Sequence, residues 1–245
     1  MSPRVAVLGK GTESKTLADK LALGADGEPY DLDELTAALV GAGGPCRVFV
    51  DATARLEVTR CYDRLLASGV HVVTANKLRL AGPREQWDTL RRAGPGRLYY
   101  ETTVGAGLPV TSTIQSLLAT GDRVRRIEGV LSGTLGYLAG ELEAQRPFSA
   151  AVRSAHELGF TEPDPREDLS GRDVARKLLI LARLSGRDLD DDEVAVEALL
   201  PDASWYDMTI EEFWRRLPEL DASLAARQAA AAGVFSDVLR AAVEA

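Results

Sequence analysis

Apolar residues recur along this chain at two spacings, and the alternation between them lays out the elements. Arg4-Val5-Ala6-Val7-Leu8 is short and almost wholly apolar, and reads as a buried strand. Arg47–Asp51, Gly69–Thr74 and Arg97–Tyr100 read the same way. Between them, Asp31 caps a helix running to about Leu39, and Leu56–Ser68 and Pro83–Ala93 carry apolar residues at helical spacing. Strand, crossover helix and strand in that order predict a βαβ unit in a parallel sheet, so the class is α/β. Downstream the pattern changes. Leu108–Leu118 predicts a helix, Val124–Leu131 a strand, and Leu135–Glu143 a helix entered through Ser132-Gly133-Thr134. Phe148-Ser149 opens a helix that Gly159 ends, and Ile210–Leu217 and Leu220–Ala232 also read as helical.

The run from Gly159 to Leu184 is the most unusual stretch. Pro163 and Pro165 push Glu162 and Asp164 into extended backbone, which predicts a stiff loop presenting Glu162, Asp164, Glu167 and Asp168. Ser170 then reads as the N-cap of a helix. At about 100° per residue, Val174, Leu178, Ile180, Leu181 and Leu184 cover one arc, with Asp173 and Lys177 inside it. Arg172, Arg176 and Arg183 fall on a separate polar stripe, while Leu179 breaks the pattern and implies cover on more than one side. A lysine on a buried stripe is costly unless paired, and Asp173 at i−4 is the available partner. Such a pair suits a proton donor held in a cleft. The competing reading is structural: Asp173 stands three residues after Ser170, where a capping box has its acid, and Lys177 snorkels to water. The acids before the helix exceed what a cap needs and suggest a pocket for a cationic group.

Composition bounds these readings. A chain of 245 residues with 45% hydrophobic composition can bury a proper core as one large or two small domains. The net charge of −8 disfavours nucleic acid or an anionic membrane as a partner. No apolar run reaches membrane-spanning length and Met-Ser-Pro-Arg lacks a signal-peptide core, so the expected location is the cytoplasm. Cys46 and Cys61 are too few for a disulfide framework or zinc site, and His71 and His156 too isolated for a Ser-His-Asp triad. Asp188-Leu189-Asp190-Asp191-Asp192 reads as a solvated turn leading into Val194–Leu200.

The run Thr161-Glu162-Pro163-Asp164-Pro165-Arg166-Glu167-Asp168-Leu169-Ser170-Gly171-Arg172-Asp173-Val174-Ala175-Arg176-Lys177 closely resembles the signature of homoserine dehydrogenase. The resemblance extends through Val73-Thr74-Ala75-Asn76-Lys77, Tyr100-Glu101-Thr102-Thr103-Val104-Gly105-Ala106-Gly107-Leu108-Pro109 and Gly129-Val130-Leu131-Ser132-Gly133-Thr134, covering roughly residues 48 to 200. It implies a truncated Rossmann-like parallel sheet in residues 1–107, completed by a helix in 224–245, and an α+β substrate-binding and dimerisation domain in 108–223. It also implies interconversion of L-aspartate 4-semialdehyde and L-homoserine, or a close analogue, with NAD or NADP, in a homodimer. Lys177 would be the proton donor, Asp173 its support and Lys77 a second stabiliser of the developing alkoxide. Glu162 would bind the substrate ammonium beside Asp168, with Gly133 and Thr134 against the substrate. Glu101, Val104, Ala106 and Leu108 align with positions that hold a monovalent cation, Na or K, in the family; a purely structural Gly-rich turn is the other reading.

The cofactor half departs from the family. Gly9-Lys10-Gly11-Thr12 after the first strand reads as a phosphate loop, with Thr53 and Asn76 as further cofactor contacts. Ser14 stands where a third glycine is usual, Glu13 is negative, and no acidic strand end follows about 20 residues later to hold the ribose. The alternative register makes Val5–Leu8 the family's second strand. Ala231–Arg240 resembles the family's closing helix without the strands and glycine loop that precede it, and no regulatory domain follows, so end-product feedback is not expected. Two rival functions stay open: a non-redox lyase, cyclase or isomerase that has lost the cofactor, and a silent partner subunit.

Overall fold

The computed structural model describes residues 31–42 and 46–230, with the backbone alone for 226–230. The expected first strand, the loop of Gly9, Gly11 and Thr12, and the closing helix all lie outside these residues. The described residues form two units that divide between Leu117 and Leu118.

The first unit is built on a parallel sheet of three strands, β1 (Val48–Asp51), β2 (His71–Thr74) and β3 (Leu98–Tyr99), in that spatial order. The register sets Val48 opposite His71 and Asp51 opposite Thr74, while Val73 pairs with Tyr99. Helix α1 (Leu32–Gly41) starts at Asp31, whose carboxylate accepts the Asp33 and Glu34 amides as an N-cap should. The expected single crossover helix divides: a 3-10 turn, Leu56–Cys61, widens into α2 (Tyr62–Ala67). Helix α3 (Arg84–Arg92) buries Trp87 and Leu90. A single turn, α4 (Thr102–Gly105), and α5 (Val110–Ala119) follow. Strand alternation sorts the side chains. Phe49 and Val72 point into the core with Leu65, Leu66 and Val58, whereas Val48, Val50 and Val73 face outward. On the buried face the next inward positions are polar, Asp51 and Thr74, so the core ends in hydrogen-bonding groups at the carboxyl ends of the strands.

The regular structure in the second unit is all helical among its described residues. Helices α6 (Gly133–Glu143) and α7 (Phe148–Glu157) pack as a hairpin. Then come α8 (Pro165–Leu169), α9 (Arg172–Leu184), α10 (Ser204–Asp207), α11 (Ile210–Arg216), a 3-10 turn at Leu217–Leu220 and α12 (Asp221–Ala230). Leu138, Phe148, Val152, Leu169, Phe213 and Leu217 form the centre of one core. Asp221, at the start of α12, ties that helix to the start of α7 by accepting the Ser149 amide and hydroxyl, both at 2.7 Å.

Several expectations are corrected here. Val124–Leu131 carries no strand: a strand requires a ladder, and none of the described residues pairs with it. The expected loop at residues 163–168 is mostly helix α8, because Pro165 at its first position has the fixed φ a helix start needs and Asp164 caps it. Ser170 is not the N-cap of α9. That position belongs to Gly171 at φ +70°, with the Ser170 hydroxyl accepting the Arg172 amide at 3.2 Å. Arg183 does not lie on an exposed stripe but is 1% exposed. Its Nε donates to the Leu189 carbonyl at 3.0 Å, with Asp190 3.4 Å from Nη2, so the turn after the helix folds back over the guanidinium.

Gly96 fixes how closely the chain before β3 passes under α2. A Cβ there would sit 2.8 Å from the Leu66 Cα and collide with the Val70 carbonyl, both backbone atoms that cannot swing away. Gly96→Ala is therefore expected to cost about 1–3 kcal/mol, as overpacking does. A urea melt of the variant that matches the parent would refute this close approach.

Candidate functional site

In the first unit the candidate residues gather at the carboxyl ends of β1 and β2. Asp51, Tyr62, Thr74 and Asn76 are each 2% exposed or less. Asp51 Oδ2 accepts the Tyr62 hydroxyl at 2.5 Å and Asn76 Nδ2 at 3.1 Å, and Oδ1 accepts the Thr53 amide at 2.8 Å. Asn76 Nδ2 also donates to the Arg55 carbonyl at 2.9 Å, and its Oδ1 accepts the Leu78 amide at 3.0 Å. Burial, then the Asp51 hydrogen bond and charge, push the Tyr62 phenol far above its ordinary value, so it stays a donor. Burial likewise pushes the Cys61 thiol up to about 11, which removes it as a nucleophile near neutral pH. Lys77 follows Asn76 and is half-buried.

These strand tips suit a dinucleotide. Residues 52–55 and 75–77 carry no exposed carboxylate, because the one acid at the tips, Asp51, is buried under donors. Ala52, Ala54 and Ala75 leave the backbone approachable. Thr53 is half-buried with its hydroxyl accepting the Arg55 amide at 3.3 Å. The Asn76 side chain, by contrast, is engaged internally and shapes the loop.

The turn expected to hold a cation is built around Glu101. Its carboxylate accepts the Thr111 amide at 2.7 Å and the Ser112 amide at 2.9 Å, closing the start of α5. Burial works against ionisation, but the hydrogen bonds from Ser112 and Thr111 outweigh it and hold the carboxyl below its usual range. Val104 is buried, Leu108 is 67% exposed, and Ala106 has φ +51°, a backbone state rare outside glycine. Among the described residues no group of three or more His, Cys, Asp and Glu is placed to hold a metal ion, so main-chain carbonyls would have to supply most ligands.

In the second unit Lys177 lies as the helical pattern requires. Its ammonium sits 2.7 Å from Asp173 and donates to the Leu131 carbonyl at 2.7 Å, with the side chain 16% exposed. Leu131 precedes Ser132, the N-cap of α6, so the lysine is tied to the helix start that carries Gly133 and Thr134. The Thr134 hydroxyl is 2.6 Å from the Phe160 carbonyl and 2.9 Å from Asp168 Oδ1, while Asp168 Oδ2 accepts the Glu162 amide at 2.9 Å. Thr134, Asp168 and Glu162 are therefore brought together, with Asp168 as the tie. Glu162 is exposed, and its carboxylate takes no hydrogen bond from the described residues.

Three contributors, Arg166, Asp51 and Tyr62, were not anticipated as such. Arg166 grips Asp164 through Nε at 2.8 Å and Nη2 at 2.6 Å, and its Nη1 donates to the Met208 and Tyr206 carbonyls at 2.7 and 3.2 Å. It fastens the signature segment to the carboxyl end of α10, which no spacing within the signature reveals. Asp51 and Tyr62 had a readable signal. Asp51 shares strand parity with Phe49, which turns it inward, and Tyr62 lies on the crossover helix beneath.

The described residues thus carry a parallel sheet with polar tips in one unit and, in the other, a half-buried lysine held against a carboxylate. Two family models agree: one for the homoserine dehydrogenase NAD binding domain matches residues 4–100, and one for homoserine dehydrogenase matches residues 109–242. The chain belongs to the homoserine dehydrogenase family. It is 45% identical over 219 residues to a chloroplastic bifunctional aspartokinase/homoserine dehydrogenase of Arabidopsis thaliana, covering 88% of this chain and 24% of that one. It is 42% identical over 208 residues to a homoserine dehydrogenase of Emericella nidulans, covering 79% of this chain and 56% of that one. A crystal structure of a Candida auris protein of unknown function superposes with TM-score 0.80 at 33% identity, covering 94% of this chain and 66% of that one. A hyperthermophilic archaeal homoserine dehydrogenase in complex with NADPH gives TM-score 0.57 at 26% identity, over 74% of this chain and 58% of that one. The chain thus spans about a quarter of its bifunctional relative and little more than half of the fungal enzyme. Among the described residues no helix is long and apolar enough to cross a membrane.

Hydrogen bonds from Arg166 hold the Asp164 carboxyl below its usual range. A carboxyl lowered by folding stabilises the fold above its unfolded value, about 4, and loses that contribution as pH falls through the folded value. With the Asp164 side chain 37% exposed, solvent screening limits the effect to about 1 kcal/mol. Asp164→Asn keeps the helix cap and removes the charge. Its stability is expected to fall less steeply than the parent's below about pH 4; parallel acid limbs in denaturant melts would contradict the assignment.

Proposed function

We propose that the chain catalyses reversible hydride transfer between a nicotinamide cofactor and L-aspartate 4-semialdehyde, giving L-homoserine. The observation that carries this reading is the Lys177 ammonium, half-buried and fixed by Asp173 and the Leu131 carbonyl beside the start of α6. A proton donor has to be held in place and protonated, and this one is both charged-paired and oriented. When bound, NAD(P)H supplies the hydride. Lys177 donates the proton to the aldehyde oxygen, and Lys77 supports the alkoxide as it forms. Glu162, whose carboxylate has no internal partner among the described residues, binds the substrate ammonium. Asp168 acts by holding Glu162 and Thr134 in register, and Gly133 and Thr134 lie against the substrate.

Thr53 would contact the cofactor directly and Asn76 would act through the loop it shapes, with Gly9, Gly11 and Thr12 as the phosphate loop. The match of the NAD-binding model across residues 4–100 supports redox chemistry over the lyase, cyclase or isomerase alternative. A sodium or potassium ion would be held by the carbonyls of Val104, Ala106 and Leu108 near ionised Glu101. The active form is a homodimer in which residues 124–131, with Val130 63% exposed, find the ladder they lack within the described chain.

The test is a fluorescence titration with NADH and NADPH, followed by turnover of aspartate semialdehyde at the nicotinamide absorbance band. Lys177→Ala is expected to lower kcat by about 10²–10⁴-fold with nucleotide affinity kept. Failure of the parent protein to bind either nucleotide, with homoserine still raising Tm, would end the redox reading.

A further inference from the structure

The network beneath the strand tips has a direction. A carboxylate cannot donate, so the Tyr62 hydroxyl donates the hydrogen bond to Asp51 at 2.5 Å. The Tyr62 oxygen is then left to accept, and the Thr74 hydroxyl, 2.8 Å away, donates to it. Thr74 in turn accepts the Asn76 amide at 2.9 Å. The chain of donors runs from the backbone of residue 76 through Thr74 and Tyr62 to Asp51, and each bond polarises the next. Asp51 also takes the Thr53 amide, and Asn76 reaches the Arg55 carbonyl, so the loops after β1 and β2 are tied to the same carboxylate.

Stability alone does not require this. Four buried polar side chains at the edge of an apolar core add little net stability even when fully hydrogen-bonded. They do fix backbone positions on two loops to within a hydrogen bond's tolerance, at the place where a parallel sheet binds its ligand. We infer that Tyr62 is a positioning residue for the nicotinamide cofactor: without touching it, the phenol holds the loops of Thr53 and Asn76 in the geometry that binds it. This rests on the dehydrogenase reading.

The experiment compares Tyr62→Phe, Thr74→Val and Thr74→Ser with a control, Leu66→Ala, in the full chain. Leu66 is buried near the amino ends of the strands and lowers stability without reaching the network. NADPH Kd, the KM for each substrate, kcat and Tm are measured for all. Tyr62→Phe and Thr74→Val are expected to raise the NADPH Kd and KM about tenfold, the order set by one hydrogen bond in a chain ending on a charge. The semialdehyde KM stays within about twofold, and Thr74→Ser, which keeps the hydroxyl, binds NADPH as the parent does. The inference is overturned if Tyr62→Phe lowers Tm but leaves the NADPH Kd unchanged, or if Leu66→Ala at a similar Tm loss raises that Kd equally. A parent protein that binds neither NADH nor NADPH sinks both this inference and the dehydrogenase reading; one that binds while Tyr62→Phe binds equally well sinks only this one.

Discussion

The Asp51 carboxylate is buried where the core of the first unit ends, and the surrounding chain is arranged to supply it with donors. A buried carboxylate is tolerable only when it is hydrogen-bonded, and Thr53, Tyr62 and Asn76 provide those bonds. Each donor comes from a different element: the loop after β1, the crossover helix and the loop after β2. Satisfying one charge therefore fixes three segments at once. The alternation Val48, Phe49, Val50, Asp51 produces this arrangement, because the same parity that buries Phe49 buries the acid.

The second unit meets a similar demand with backbone carbonyls. Lys177 donates to Leu131, Arg183 to Leu189 and Arg166 to Met208. A carbonyl is a fixed acceptor that no change of pH can remove, so a cation held this way is oriented whatever its acid partner does. Asp173 then pairs with Lys177 across one helical turn at 2.7 Å, which supplies the counter-charge for a side chain only 16% exposed. Charge and direction come from different groups, and a proton donor needs both.

How much of this was legible depended on whether the deciding partner lay close in sequence. The strands at 48–51 and 71–74, the cap at Asp31 and the Asp173–Lys177 pair follow from local period and spacing, and the structure has them. Val124–Leu131 has strand-like residues, but being a strand is a property of a pair, and the chain offers it none among the described residues. Arg183 looked exposed on a helical wheel because the wheel omits the turn at Leu189 that covers it. Lys177 was legible as paired, yet its second acceptor, Leu131, lies 46 residues away.

The acids of the signature segment show why composition alone misassigns roles. Glu162, Asp164, Glu167 and Asp168 look equivalent as a negative cluster, and the geometry separates them. Asp164 is taken by Arg166, which lowers its proton affinity and makes it part of the scaffold. Asp168 divides its oxygens between Thr134 and the Glu162 amide. Glu167 is exposed on α8, and its amide bonds to the Asp164 carbonyl. Glu162 is thus held by its backbone while its carboxylate projects without an internal partner among the described residues. A binding group for an ammonium ion needs that combination, since a carboxylate already surrounded by protein donors gains little from a new cation, and one on an unanchored loop would lose the gain to ordering the loop.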